Sequence, residues 1–197
     1  MNFLAHLYLA SPDPDLMLGG VLADFVRGRA IEDYPGPIRQ GIRLHVQIDC
    51  FTDNHPVVAA ARKRFEPPFR RYAGILIDLA FDHFLAVEWD KYSPGAALDE
   101  FAQDAYRLLE TAPSNRPERM ARVVAAMRRE NWLLSYRDLE GIERALCRLS
   151  FRLSRANPLA QAGRPIRENY DALRSDFARF HPDLMRFVTL TRRSLAP

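Results

Sequence analysis

The sequence predicts an all-α fold, a single-domain helical bundle. Three observations carry that expectation. Apolar residues recur at helical spacing through nearly the whole chain; period-two runs between turn clusters are absent; and the breaks between segments are short and marked by Pro and Gly.

The segments follow in order. After the apolar opening MNFLAHLYLA, the stretch SPDP precedes a helix from Asp15 to Gly28, with Leu16, Val21, Leu22 and Phe25 on its apolar face. PGPIRQGIRLHVQIDCF reads as a helix opened by Pro37, and Pro56 opens the next at TDNHPVVAAARKRF. Helices are expected at 69–91, 97–111, 117–130, 141–156, 166–180 and 182–192, the last two divided at Pro182. TAPSNRP is the best linker candidate, yet it is short enough to join two helices of one bundle, so the whole chain, 1–197, is expected to be one domain.

Composition narrows the function classes. With 48% hydrophobic and 27% charged residues the chain is neither collagenous nor disordered, and its two cysteines, Cys50 and Cys147, fit no paired framework and read as free thiols. The apolar N-terminal run lacks a preceding Lys or Arg, as a signal peptide would have, and no window holds the roughly 18 apolar residues a spanning helix needs. The expected location is the cytoplasm, without membrane association. The net charge of +3 hides an asymmetry: residues 1–113 carry 11 basic and 16 acidic side chains, residues 114–197 carry 17 and 9. An acidic first part suits cation binding, and a basic second part suits an anionic partner.

The candidate chemistry lies in the acidic part. His45, Asp49 and Asp53 are each four residues apart and rise along one helix face; Asp78 and Asp82 repeat the spacing, with His83 adjacent. Asp24 stands in an apolar setting where an unpaired carboxylate is costly, so it calls for a partner. Mixed His and Asp donors suit Mn²⁺, Fe²⁺ or Zn²⁺, and the carboxylate share leans toward Mn²⁺ or Mg²⁺. Such an ion lowers the pKa of its water and shields a phosphate ester, which is phosphohydrolase chemistry. Each residue also has a structural reading. His6, among Phe3, Leu4, Leu7 and Leu9, reads on its surroundings as a core histidine; His55 and His181, each before a proline, as turn or cap residues; Asp53 as a cap of the helix at Pro56; Asp13 and Asp15 as turn formers.

Arg144, Arg148, Arg152 and Arg155 form a stripe opposite Ile142, Leu146, Leu149 and Leu153. The stripe is either a solvated helix face or a dock for an acidic protein or for nucleic acid. A second basic cluster, Arg62, Lys63, Arg64, Arg70 and Arg71, brackets EPPF, but without interleaved aromatics or a recognised motif nucleic acid is not expected. GxSxG, a phosphate-binding Gly loop, HExxH and zinc-type Cys/His spacing are all missing.

MNFLAHLYLA, GGVLADFVRG, GIRLHVQIDCFTDNHP and LIDLAFDHFLAVEW, in this order, resemble the acyl carrier protein phosphodiesterases, most specifically over the first half of the chain. The resemblance implies an all-helical fold related to the HD phosphohydrolases. It also implies Mn²⁺-dependent removal of 4′-phosphopantetheine from holo acyl carrier protein, the protein substrate, to give the apo form. Carried onto matching positions, the family's His and Asp motif falls on His6, Asp24, His45, Asp49, Asp82 and His83, with Arg27 beside Gly28 as a phosphate contact. His6 becomes a candidate ligand through the resemblance alone. The catalytic expectation rests on Asp24, Arg27 and Asp78, the last as a proton source for the leaving serine oxygen, a role for which Asp53 or a metal-bound water is an alternative. The basic arginine stripe would then dock the acidic carrier. Two other functions stay open: a phosphohydrolase of nucleotides or small phosphodiesters, and a non-catalytic module that binds an acidic protein.

Overall fold

A computed structural model describes residues 1–195, and among them there are helices and no strand. The helices are α1 (Phe3–Ala10), α2 (Pro14–Leu22), α3 (Gly36–Asn54), α4 (Pro56–Arg62), α5 (Ala73–Val87), α6 (Trp89–Tyr92), α7 (Leu98–Glu110), α8 (Glu118–Arg129), α9 (Trp132–Ser135), α10 (Leu139–Arg152), α11 (Gly163–Glu168) and α12 (Tyr170–Leu195). Short 3₁₀ turns at Gly28–Asp33, Arg70–Tyr72 and Leu159–Gln161 link them. No helix is long and apolar enough to cross a membrane.

The centre is α5, because it is apolar on nearly all sides: 11 of its 15 residues are buried, so it must be surrounded rather than packed on one face. It touches α1, α4, α10 and α12. The tightest pair is α2 and α3, and glycine explains the closeness: a Cβ on Gly19 would collide with the Ile38 carbonyl, and one on Gly41 would stand 2.5 Å from the Leu16 oxygen. α7, with Leu98, Ala102, Ala105, Tyr106 and Leu109 buried along one face, pairs with α8 in the second half, and TAPSNRP joins them as expected.

Several boundaries move. The helix expected to run to Gly28 stops at Leu22, and Ala23–Phe25 form a turn that puts Asp24 outside it. The segments expected to separate at Pro182 are one helix, α12, with Pro182 inside. Proline removes one helical hydrogen bond, but the buried stripe of Leu173, Phe177, Phe180, Leu184 and Val188 continues in register through it. α10 ends at Arg152 instead of Ala156, so Arg155 lies past the helix and leaves the stripe. Asp13 caps α2 through the Asp15 and Leu16 amides. His55, not Asp53, caps α4, accepting from Val57 N, while Asp53 pairs with Arg62. His181 is a buried mid-helix residue against Tyr92. Cys50 and Cys147 are free thiols.

Candidate metal centre and adjoining cleft

The site begins at a helix end. Gly20 belongs to the last turn of α2, where carbonyls have no partner within the helix. His45 of α3 supplies one: its Nδ1 donates to the Gly20 oxygen at 2.7 Å. That bond fixes the tautomer and leaves Nε2 free to face Asp49, one turn further on, at 3.2 Å from Oδ2. His6 enters from α1 and stacks on His45, with ring centroids 3.8 Å apart and planes at 14°. Its Nε2 is 3.1 Å from Asp49 Oδ1. That contact lies off the hydrogen-bonding direction, so both buried ring nitrogens of His6 lack a partner.

His6, His45 and Asp49 each offer a ligand atom within 4.8 Å of the others. Two imidazoles and a carboxylate fit a divalent ion, and the unpartnered His6 Nε2, which faces Asp49, is the nitrogen such an ion would satisfy. Three protein ligands also leave coordination positions for water or substrate. Burial and the charge of His45 push His6 down to about 3, which keeps it a neutral donor. Burial alone would raise Asp49, but the His45 and His6 rings and the Met1 ammonium hold its carboxyl well below the usual range. Burial opposes the charged form of His45, yet Asp49, Asp24 and the Gly20 carbonyl hold it above an ordinary imidazole.

The other expected residues take different places. Asp24 stands at the mouth of the site, where burial of its carboxyl pushes the pKa up against the pull of His45. Asp78 accepts from the Met1 ammonium at 2.9 Å, and the same ammonium lies 3.4 Å from Asp49. Against burial, these two carboxylates raise the amine to about 10. Both oxygens of Asp82 are turned to the start of α1, accepting from the backbone amides of Asn2, Leu4 and Ala5 at 3.2, 2.9 and 3.4 Å. Burial pushes that carboxyl up to about 7, opposed by the ammonium and the amides. His83 faces elsewhere: Nδ1 donates to the Tyr136 carbonyl at 2.8 Å, and Nε2 lies 3.0 Å from the Tyr170 hydroxyl. The geometry thus joins His6, His45 and Asp49, with Asp24 beside them, and gives Asp82 and His83 to the packing of α5 against α1, the Tyr136 segment and α12.

Beside Asp24 a cleft of about 340 Å³ opens between the Asp24–Arg27 turn and helices α8 and α10. Arg27, Arg119 and Arg152 line it together with Asn2, and Phe25, Leu149 and Leu153 form apolar wall. Arg119 went unremarked in the sequence because its neighbours in α8 show only an exposed basic face; its role depends on where α8 packs. Along α10, Arg144 is exposed, whereas Arg148 is half-buried over the Trp132 ring at 4.0 Å and lies 3.5 Å from Glu130.

The family model described as acyl carrier protein phosphodiesterase matches residues 1–184. Curated proteins named acyl carrier protein phosphodiesterase are similar along almost their full length. The one from Klebsiella pneumoniae is 39% identical over 188 residues, covering 95% of this chain and 97% of its own. Those from Photorhabdus laumondii and Escherichia coli are 37% and 38% identical over 185 residues, covering 94% of this chain and 93% and 96% of their own. No solved structure matches. A match to the family model over nearly the whole chain, together with these relatives, places the protein in the acyl carrier protein phosphodiesterase family of hydrolases.

Proposed function

We propose that the protein hydrolyses the phosphodiester that joins 4′-phosphopantetheine to a serine of holo acyl carrier protein, with Mn²⁺ bound by His6, His45 and Asp49. The observation that carries the reading is the buried, unpartnered Nε2 of His6, on a ring stacked on His45 and facing Asp49, next to a cleft with arginines, in a member of this family. An ion bound there would lower the pKa of a water molecule and shield the phosphate charge. In the balanced reaction a water oxygen bonds to phosphorus, the bond from phosphorus to the serine oxygen breaks, and a proton reaches that oxygen. Apo carrier protein and 4′-phosphopantetheine are the products. Asp24 is the residue for the proton: its carboxyl is shifted upward, toward the protonated form, and it lies between the ligands and the cleft. Asp78 is already engaged by the Met1 ammonium. The apolar cleft wall suits the pantetheine arm, and Arg27 lies where the phosphate would enter.

Intact-mass spectrometry of holo acyl carrier protein tests the reaction. The phosphopantetheine mass should be lost with Mn²⁺ and wild-type protein, and retained with EDTA or with Asp49→Ala. Retention in every sample while small phosphodiesters are cleaved would reject the carrier substrate.

A further inference from the structure

Arg27, Arg119 and Arg152 come from three separate parts of the chain, the turn after α2, the first turn of α8 and the last residue of α10, yet they line one cleft. Among the described residues none of the three forms an ion pair, in contrast to Arg148, which lies near Glu130. Arg152 is close enough to Arg119 and to Asp24 to feel the charge of both. Two cations that line one cleft repel, and an anion placed between them removes that cost. Aromatic faces help to set both guanidiniums: Arg119 lies 5.8 Å from the centre of the Phe25 ring and Arg152 5.9 Å from that of Trp132. The planar fork of arginine suits two oxygens of one phosphate.

We infer that Arg119 and Arg152, with Arg27, clamp the phosphate of the scissile diester beside Asp24. The inference rests on the proposed reaction for its substrate and removes Arg152 from the protein-docking stripe. It assigns Arg119 a role that its own stretch of sequence does not suggest. The clamp recognises the phosphate itself, so it acts alike on a protein-borne diester and on a small one, and it works without the metal.

The test has two arms. In the first, EDTA-treated full-length protein is titrated with inorganic phosphate by calorimetry. Arg119→Met and Arg152→Met should each weaken binding at least about tenfold, as expected for loss of a charge-assisted bidentate contact, whereas Arg107→Met, remote and paired with Asp104, should leave it unchanged. In the second, kcat/KM is measured with holo acyl carrier protein and with bis(4-nitrophenyl) phosphate. The same fold loss on both substrates supports the clamp. Loss on the carrier protein alone makes the two arginines a docking surface and overturns it, as does unchanged phosphate binding in variants whose circular dichroism and Tm match wild type. Arg119→Lys and Arg152→Lys, which keep stem and charge, guard against misfolding and should recover part of the affinity. If wild type cleaves only the small diester, and the variants lose that activity and phosphate binding, the carrier-protein reading fails while the clamp stands.

Discussion

Asp49 and Asp82 are both acidic residues at helical spacing from a partner, yet the structure gives them opposite work. Asp49 faces two imidazoles; Asp82 faces three backbone amides. Asp49→Ala should therefore lower metal affinity by more than about 100-fold, beyond what loss of a residue that only orients a ligand causes. Asp82→Ala should instead leave the amides of α1 stranded, at a cost of at least about 2 kcal/mol, or on the order of 5 °C in Tm. Calorimetric metal titration and thermal melts of both variants separate the roles; a Tm-neutral, metal-deficient Asp82→Ala would make Asp82 a ligand after all. The His45 and Asp49 pair was legible because both partners lie on one helix. His6 was not legible from spacing, since its place depends on how α1 crosses α3, and the spacing of Asp78 and Asp82 named a shared face without naming what that face would meet. Another residue-scale prediction concerns His181, packed against Tyr8, Tyr92 and Phe177. Burial, helped by the Lys91 charge, pushes it down to about 4 from 6.5. The unfolded chain then takes up a proton that the folded chain resists, so stability falls as pH drops below 6.5 and the loss is complete near 4. At pH 5 the loss is about 2 kcal/mol. The unfolding free energies from urea titrations at pH 7 and pH 5 should differ less in His181→Leu than in wild type by that amount.

At the scale of elements, the contact of α2 with α3 is what positions His45 for the proposed ligand role. Gly19 and Gly41 let the two backbones approach, and the approach brings the Gly20 carbonyl to 2.7 Å from His45 Nδ1. In Gly41→Ala the new Cβ would stand 2.5 Å from the Leu16 oxygen and 2.9 Å from Gly19 Cα, both backbone atoms that no side-chain rotation can move. The helices must separate, at a cost of roughly 1–3 kcal/mol. Because the same movement stretches the bond to Gly20, metal affinity should fall by about tenfold or more. Melting curves and metal titrations of Gly41→Ala check the two effects together; a lower Tm with unchanged affinity would show that α2 does not orient His45. The sequence announced these helices through SPDP, Pro37 and their apolar faces, but a glycine inside a helix does not announce which neighbour it meets. The same limit explains Pro182 and Arg155: a proline reads locally as a break, and only the unbroken buried stripe of α12 shows why it is not, whereas the arginine periodicity of α10 runs past the point where Leu153 turns extended.

For the whole molecule, the acidic first part holds the proposed ligands and the basic second part contributes Arg119 and Arg152 to the cleft beside them, a charge division that would favour a negatively charged partner on the side where the cleft opens. Within α10 the arginines divide by position. Arg152 lines the cleft, Arg148 is committed to Trp132 and Glu130, and Arg144 is exposed. Arg144 shares its helix face with Phe151, two turns on, whose side chain is 91% exposed. A cation beside an uncovered aromatic fits an acidic protein that also offers an apolar contact. Arg144→Glu should raise KM for holo acyl carrier protein roughly threefold to tenfold, the scale of reversing a solvent-exposed charge at an interface rim, and leave turnover of bis(4-nitrophenyl) phosphate unchanged. Raising ionic strength from about 0.05 to 0.5 M should lower kcat/KM for the carrier more than for the small diester, because the long-range attraction of two extended charged surfaces is screened while contacts inside the cleft are not. Steady-state kinetics on both substrates decides the matter. Equal effects of Arg144→Glu on the two would mean that Arg144 acts through the cleft or the fold, and that the carrier docks on another face.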